Sequence, residues 1–418
     1  MQKCSKALSR LGTIYLSKSR CIYENLAFEE WVFRNHSLEK SGEALLLWST
    51  SPSVVIGRHQ NPWLEADLKY CDENSIKLAR RHSGGGTVYH DLGNLNVSLL
   101  TSQKRHNRQR NLSWLAACLK SELGISLEPN KSDSLVLQPS GAKISGTAAR
   151  ISDGRAYHHL TILVNVDLEI LHAALHSKFR DKIHTNATPS QRARLVGNLS
   201  QLVSGIAVSE IQDIVIYCFK SKFDDCQTVE WTHSEDDKRL YPGLHENFRN
   251  LDSKEWVFGR TPKFELSIFN TVVDDFVSIV VERGRIKEST HVDFPVGVSF
   301  RRALVILQIR KMSTVKDFVD NLIKTKKVVG ISKSYCPFCH KAKAALAPFN
   351  LPTDVLEWVE IDGRKDMDAI QDYMKDLTGG RSVPRVFIGG KFFGGGDDTA
   401  AAKANGTLEK ALKEAGAL

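Results

Sequence analysis

A chain of 418 residues is too long for one ordinary core, and at roughly 150 residues per domain it calls for two or three. With 42% hydrophobic and 25% charged residues it has a globular composition, and its apolar runs, such as residues 45–48 and 304–307, are far too short to span a bilayer. The excess of 57 Lys+Arg over 48 Asp+Glu gives +9, which favours acidic partners; no nucleic-acid motif accompanies it, so RNA and DNA are set aside.

Before Glu24 the chain carries Lys3, Lys6, Arg10, Lys18 and Arg20, several serines and no acid. Residues 1–20 therefore read as a mitochondrial presequence or a plain basic arm. Helical periodicity follows at Leu26, Trp31, Val32 and Phe33. Residues 44–50 and 53–57 read as two strands joined by a turn at Ser51-Pro52, with further strands at 76–80 and 95–100. Lys104, Arg105, Arg108 and Arg110 crowd around His106 in a solvated loop or a docking surface for an acidic protein. Helices are predicted over 112–123, stopped by Gly124, and over 167–175, opened by Asp167; strands are predicted at 134–138 and 159–166.

Helices and strands interleave without the alternation of a doubly wound sheet, so residues 21–223 are expected to form a mixed, largely antiparallel α+β catalytic domain. The polar stretch 224–237 interrupts the pattern. Strands at 264–269 and 276–281, with Glu282-Arg283-Gly284-Arg285 as the next turn, make a small α+β accessory domain over 224–300. Residues 301–314 read as a junction and 315–418 as a further domain, opening with a helix at 315–322 and a buried strand at 328–331. Of eight cysteines, six are scattered and only Cys336 and Cys339 form a motif, so a disulfide framework is not expected and the compartment is a reducing one.

Two segments carry chemistry. In Arg80-Arg81-His82-Ser83-Gly84-Gly85-Gly86-Thr87-Val88-Tyr89, three glycines let backbone N–H groups approach an anionic or acyl ligand, between two guanidinium groups and a β-prone run. No Gly-Lys-Ser/Thr ends this loop and no helix opens on it, which excludes a Walker loop and a Rossmann fingerprint. Downstream, Lys143 stands among small residues, Gly141-Ala142-Lys143-Ile144-Ser145-Gly146, and can reach into a narrow site to neutralise a phosphate and a carbonyl oxygen. The second segment is Lys333-Ser334-Tyr335-Cys336-Pro337-Phe338-Cys339, after a strand and before a helix. The helix N-terminus and Lys333 favour the Cys336 thiolate as nucleophile, and Cys339, one turn on, resolves the mixed disulfide. No second Cys-x-x-Cys completes a zinc site, and no other metal site is expected.

Gly57-Arg58-His59-Gln60-Asn61-Pro62-Trp63, the loop from Arg80 to Asn94, Lys143-Ile144-Ser145-Gly146-Thr147-Ala148 and Tyr157-His158-His159 resemble the ordered motifs of lipoate-protein ligases and mitochondrial lipoyltransferases, over about residues 14–290. The resemblance implies a fold like the catalytic domain of biotin ligases and class II aminoacyl-tRNA synthetases. It implies a lipoyl-adenylate site at Arg81, Gly84, Gly85, Gly86, Thr87, Val88, Tyr89, Asp133 and Lys143, with Lys143 bridging phosphate and acyl carbonyl. The ligand is then lipoyl-AMP, or lipoate with ATP and Mg. The acceptors are lipoyl domains of 2-oxoacid dehydrogenase acyltransferase subunits, and the glycine-cleavage H protein is an alternative donor. A full ATP-dependent ligase, a biotin ligase and a redox protein with a non-catalytic lipoyl-binding domain are the rival readings. Location in the mitochondrial matrix is implied, or the cytoplasm if the arm is no presequence.

The segment around Cys336, with Ser382-Val383-Pro384 and Gly394-Gly395-Gly396-Asp397-Asp398, resembles glutaredoxins over about residues 315–418. That implies an α/β thioredoxin-like fold, a cis bond before Pro384, and glutathione held by Lys333, Cys336, Val383, Pro384, Gly396, Asp397 and Asp398. It also implies glutathione-dependent disulfide reduction. Gly396 stands where many glutaredoxins carry cysteine, serine or asparagine.

Overall fold

The computed structural model describes residues 10–191, 195–234, 236–270, 275–290 and 294–418. It divides into two units, Met1–Leu266 with Ile279–Glu288, and Ser267–Ser278 with Ser289–Leu418.

The strands of the first unit are, in chain order, β1 (Leu11–Ser17), β2 (Glu43–Trp48), β3 (Ser53–Ile56), β4 (Lys77–Arg80), β5 (Val88–His90) and β6 (Asn94–Ser102). They continue with β7 (Leu127–Pro129), β8 (Leu135–Leu137), β9 (Thr147–Ser152), β10 (Arg155–Leu163), β11 (Ile183–Thr185) and β12 (Asp225–Trp231). A six-stranded sheet has the order β12-β1-β2-β6-β10-β9, a three-stranded one the order β4-β3-β5, and β7 pairs with β8.

The large sheet is covered on both faces. Leu45 and Leu47 of β2 meet Leu112, Leu115 and Leu119 of the helix Arg108–Leu123 and Ile211, Val215 and Phe219 of the helix Val208–Lys220 in one core. On the opposite face, Ala44 and Leu46 approach Val32 and Phe33 of the helix Ile22–Asn35. Burial on both faces explains why β2 reads as a continuous apolar run instead of an alternating one. Each fully buried leucine there contributes about 2 kcal/mol.

Residues 44–50 and 53–57 form strands as expected, β2 and β3, which lie in different sheets. Several expectations are corrected. Leu11–Ser17, within the stretch read as a basic arm, is a strand flanked on both sides, with Thr13 and Ile14 fully buried. The polar stretch beginning at Asp224 holds β12, an edge strand parallel to β1 that completes the main sheet. Its side chains are mostly exposed, so no apolar alternation marks it. The basic run is not a plain loop either, because Asn107 caps a helix that already begins at Arg108, its side chain accepting from the Arg110 amide at 2.8 Å.

The strands β13 (Phe264–Asn270), β14 (Asp275–Glu282) and β15 (Arg285–Ser289) join β11 in the order β11-β13-β14-β15. Arg283 and Gly284 make the predicted turn, both at positive φ (49° and 73°).

In the second unit, the helix predicted over 315–322 is the last part of a longer one, Phe300–Thr325, which runs through the expected junction. Then come β16 (Val328–Ser332), β17 (Leu356–Glu360), β18 (Arg385–Ile388) and β19 (Lys391–Gly394), in the order β17-β16-β18-β19. Strand β16 is parallel to β17 and antiparallel to β18. Val315, Val319, Ile370 and Met374 cover one face, and Ala342, Leu346, Leu408 and Leu412 belong to the core on the other. The bond Val383–Pro384 is cis, as expected, and Gln138–Pro139 is a second cis bond that no sequence motif marks.

Candidate active sites

Strands β4 and β5 both pair with β3, from opposite sides, so the chain between them must cross the end of β3. The glycine-rich loop makes that crossing. Gly85 needs its freedom, since its φ is +89° and a side chain there would press on the Arg81 guanidinium; at Gly84 an added Cβ would meet nothing within 4 Å. Gly57 packs so closely that a Cβ on it would lie 2.1 Å from the Gly85 carbonyl oxygen.

Arg81 is buried beneath the loop. Its Nη1 donates to the Val55 carbonyl at 3.1 Å, and its Nη2 to those of Gly84 and Gly86 at 2.7 and 2.6 Å. These bonds commit the guanidinium to the loop and to β3, where the resemblance implied direct contact with an adenylate phosphate. Burial pushes its pKa down to about 10. Arg80 is fully buried and also bonds carbonyls: Gln60 at 2.8 Å, Gly57 and Arg58 at 3.1 Å, and Val257 at 2.9 Å from its Nε. One guanidinium thus ties 57–60 to the helix Lys254–Gly259, while Trp256 donates back to the Arg80 carbonyl at 2.7 Å.

Beside the loop lies a pocket of about 180 Å³. Val88, Leu163, Leu171, Leu175 and Val196 give it an apolar wall; Lys143, Thr87, Ser190 and Glu65 supply the polar groups. Lys143 sits on a chain crossing between Val136 and Val196, which aims a long side chain from a fixed backbone. Its ammonium has no ion pair or hydrogen bond among the described residues, and burial lowers its pKa below the ordinary lysine value. An apolar slot with one unpaired cation suits an aliphatic acyl chain ending in a polarised or anionic group.

The structure brings Thr87, Val88, Tyr89 and Lys143 together at this pocket. Asp133 is not among its lining residues. It sits at positive φ (52°) and accepts from Gln109 at 2.6 Å and Arg108 at 3.2 Å, at the start of the helix Arg108–Leu123. One residue, Ser190, is unmarked in the sequence. The Ser190 hydroxyl accepts from the Thr87 amide at 2.7 Å and from the Gln60 side chain at 2.9 Å, while Gln60 accepts from the Thr87 hydroxyl at 2.7 Å. Gln60 lies in the quoted motif, but Ser190 stands in a loop 130 residues further on, and no periodicity or spacing marks it.

In the second unit, Cys336 caps the helix Pro337–Leu346 and Cys339 is buried one turn later. The Lys333 amide faces the Cys339 sulfur at 3.4 Å, and the Cys336 sulfur lies 3.7 Å from the Val383 carbonyl. Burial raises the Cys339 pKa, so the partly exposed Cys336 is the accessible thiol of the two. Of the acids expected at a glutathione site, Asp397 is paired with Lys341 at 2.5 Å and Asp398 caps the Gly395 amide at 2.8 Å. A Cβ at Gly396 would lie 2.4 Å from the Phe338 carbonyl oxygen, which explains glycine there. Among the described residues no group of three or more His, Cys, Asp or Glu could hold a metal ion, and no helix is long and apolar enough to cross a membrane.

Residues 21–220 match the model of the lipoyl protein ligase A/B catalytic domain. A mitochondrial lipoyl amidotransferase of Mus musculus is 39% identical over 254 residues, 60% of this chain and 67% of that protein. A putative lipoate-protein ligase A of Schizosaccharomyces pombe is 35% identical over 307 residues, 68% of this chain and 81% of its own. The chain belongs to the lipoate-protein ligase and lipoyltransferase family. Lipoate-bound LipL1 of P. falciparum, 24% identical, shares the family's fold with a TM-score of 0.51, covering 66% of this chain and 83% of its own. Residues 328–393 match the glutaredoxin model, so this family member also carries a glutaredoxin domain of thioredoxin-like fold.

Proposed function

We propose that the first unit transfers a lipoyl group from lipoyl-AMP to one lysine of an apo lipoyl domain. The lysine amine attacks the acyl carbonyl of the mixed anhydride, a C–N bond forms, the bond to phosphate breaks, and AMP and one proton leave. The observation that carries this reading is the Lys143 ammonium, unpaired among the described residues, in the lining of a mainly apolar pocket. There it stabilises charge on the carbonyl oxygen and the departing phosphate, and so acts through the transition state without a covalent step. Arg81 acts indirectly by fixing the loop, and the Thr87–Ser190–Gln60 bonds close its far end. Asp133, paired with Arg108 outside the acyl pocket, is assigned to the nucleotide end of the ligand by the family resemblance alone.

The relatives include both an amidotransferase and ligases, so the donor is the open variable. Incubation with an apo lipoyl domain and, in separate arms, lipoyl-AMP, lipoate with ATP and Mg, lipoylated H protein, or biotin with ATP tests it by mass gain on the acceptor. Gain from lipoyl-AMP is expected. No gain in any lipoyl arm would leave the first unit a non-catalytic binder. For the second unit we propose glutathione-dependent reduction of disulfides through Cys336 and Cys339, with glutathione across Lys333, Val383, Pro384 and the turn at Gly396–Asp398. We propose the mitochondrial matrix as the location of both activities, supported by the mitochondrial relative and by the basic residues before Glu24.

A further inference from the structure

Arg58, Arg260, Lys263 and Arg283 line a second cleft of the first unit, about 510 Å³ in volume and sharing no lining residue with the pocket that Lys143 enters. Two carboxylates, Glu255 and Glu282, also line it, and Glu282 is already paired with Lys287 at 3.9 Å. None of the four cations has an ion pair among the described residues; Arg260 only stacks on Trp256, 4.1 Å from the ring centre. Four cations against two carboxylates leave the cleft with an excess of positive charge, a field that draws in an anionic partner.

The cleft is tied to the glycine-rich loop. The Arg58 amide donates to the Ser83 carbonyl at 2.9 Å. Arg80 bonds the Arg58 carbonyl on one wall, and the Val257 carbonyl and Thr261 hydroxyl on the other. A partner seated there is held at a fixed offset from the loop that borders the acyl pocket.

We propose that this cleft docks the acceptor protein by recognising a carboxylate-bearing face near the lysine to be acylated. The proposal rests on the transferase reading above. Arg260, Lys263 and Arg283 are all exposed, so the cleft opens to a surface. The carboxylates among its cations oppose a polyphosphate, whereas a protein face can carry both signs.

The test compares wild type with an Arg260→Glu/Lys263→Glu variant, using lipoyl-AMP and an intact apo lipoyl domain with acidic residues beside its lysine. At low salt the KM for the acceptor should rise about tenfold, and the difference should shrink at high salt. Hydroxylamine-driven consumption of lipoyl-AMP, which needs the pocket but no docking, should keep the wild-type rate. Acceptors with carboxylates reversed to lysine should recover in the variant. An unchanged KM, an equal fall in the hydroxylamine reaction, or tight binding of inorganic tripolyphosphate lost in the variant would each overturn the proposal. A wild type inert towards both nucleophiles would instead refute the transferase reading beneath it.

Discussion

The Arg81 guanidinium donates to the Gly86 carbonyl at 2.6 Å, supporting the glycine-rich loop from within. Three carbonyls depend on this side chain, those of Val55, Gly84 and Gly86. Arg81→Ala strands them in a buried place and should cost about 2–4 kcal/mol in chemical denaturation. Arg81→Lys should recover little, because one ammonium cannot copy the spread of a planar fork. A loss under about 0.5 kcal/mol would contradict this role.

Ser190 holds the other end of the same loop. In Ser190→Ala the Thr87 amide and the Gln60 side chain lose their shared acceptor. The KM for lipoyl-AMP should rise about five- to tenfold, equivalent to about 1–1.4 kcal/mol. An unchanged KM would show that the loop keeps its shape without this bond.

Burial lowers the Lys143 pKa below its unfolded value, which sets two opposite pH trends. For stability, holding the proton in the folded state carries a cost below the folded pKa, and this cost fades as pH rises towards the unfolded pKa. For activity, the cation is lost as pH rises through the folded pKa. The kcat profile should therefore show an alkaline limb below the ordinary lysine range. Lys143→Arg should move that limb upward, and an identical limb in both proteins would assign it elsewhere.

Gly396→Ser puts a Cβ 2.4 Å from the Phe338 carbonyl oxygen, backbone that cannot swing aside. The second unit should lose about 1–3 kcal/mol, read from the unfolding of its own signal, and reduction of a glutathionylated peptide should slow. Full stability in this variant would mean that the helix Gly396–Ala404 shifts freely.

Cys336→Ser should abolish reduction of a glutathione mixed disulfide. Cys339→Ser should retain it but lose dithiol reduction of protein disulfides, because the buried sulfur acts only on the Cys336 mixed disulfide. Residual activity of Cys336→Ser in the peptide assay would move the nucleophile elsewhere.

Much of this was legible in the sequence because it is local. Gly124 ends its helix in the left-handed conformation and Asp167 caps another through the Glu169 and Ile170 amides. Cys336 and Cys339 fall one helical turn apart, so spacing alone placed them. Strands β1 and β12 were missed because one carries the basic N-terminal signal and the other an exposed edge without alternation. Lys143 stood out through its small neighbours, but the use of Arg81 did not, since a guanidinium before glycines looks the same whether it faces a ligand or its own loop. Ser190 became visible only once folding set it against Thr87.

The most direct measurement is AMP release in a single turnover of lipoyl-AMP with an excess of apo lipoyl domain, comparing wild type with a folded Lys143→Ala variant. AMP should appear together with lipoylated acceptor in wild type, and the rate should fall about 10²–10³-fold without the ammonium. Equal rates in the two proteins would contradict the role given to Lys143 and, with it, this account of the pocket.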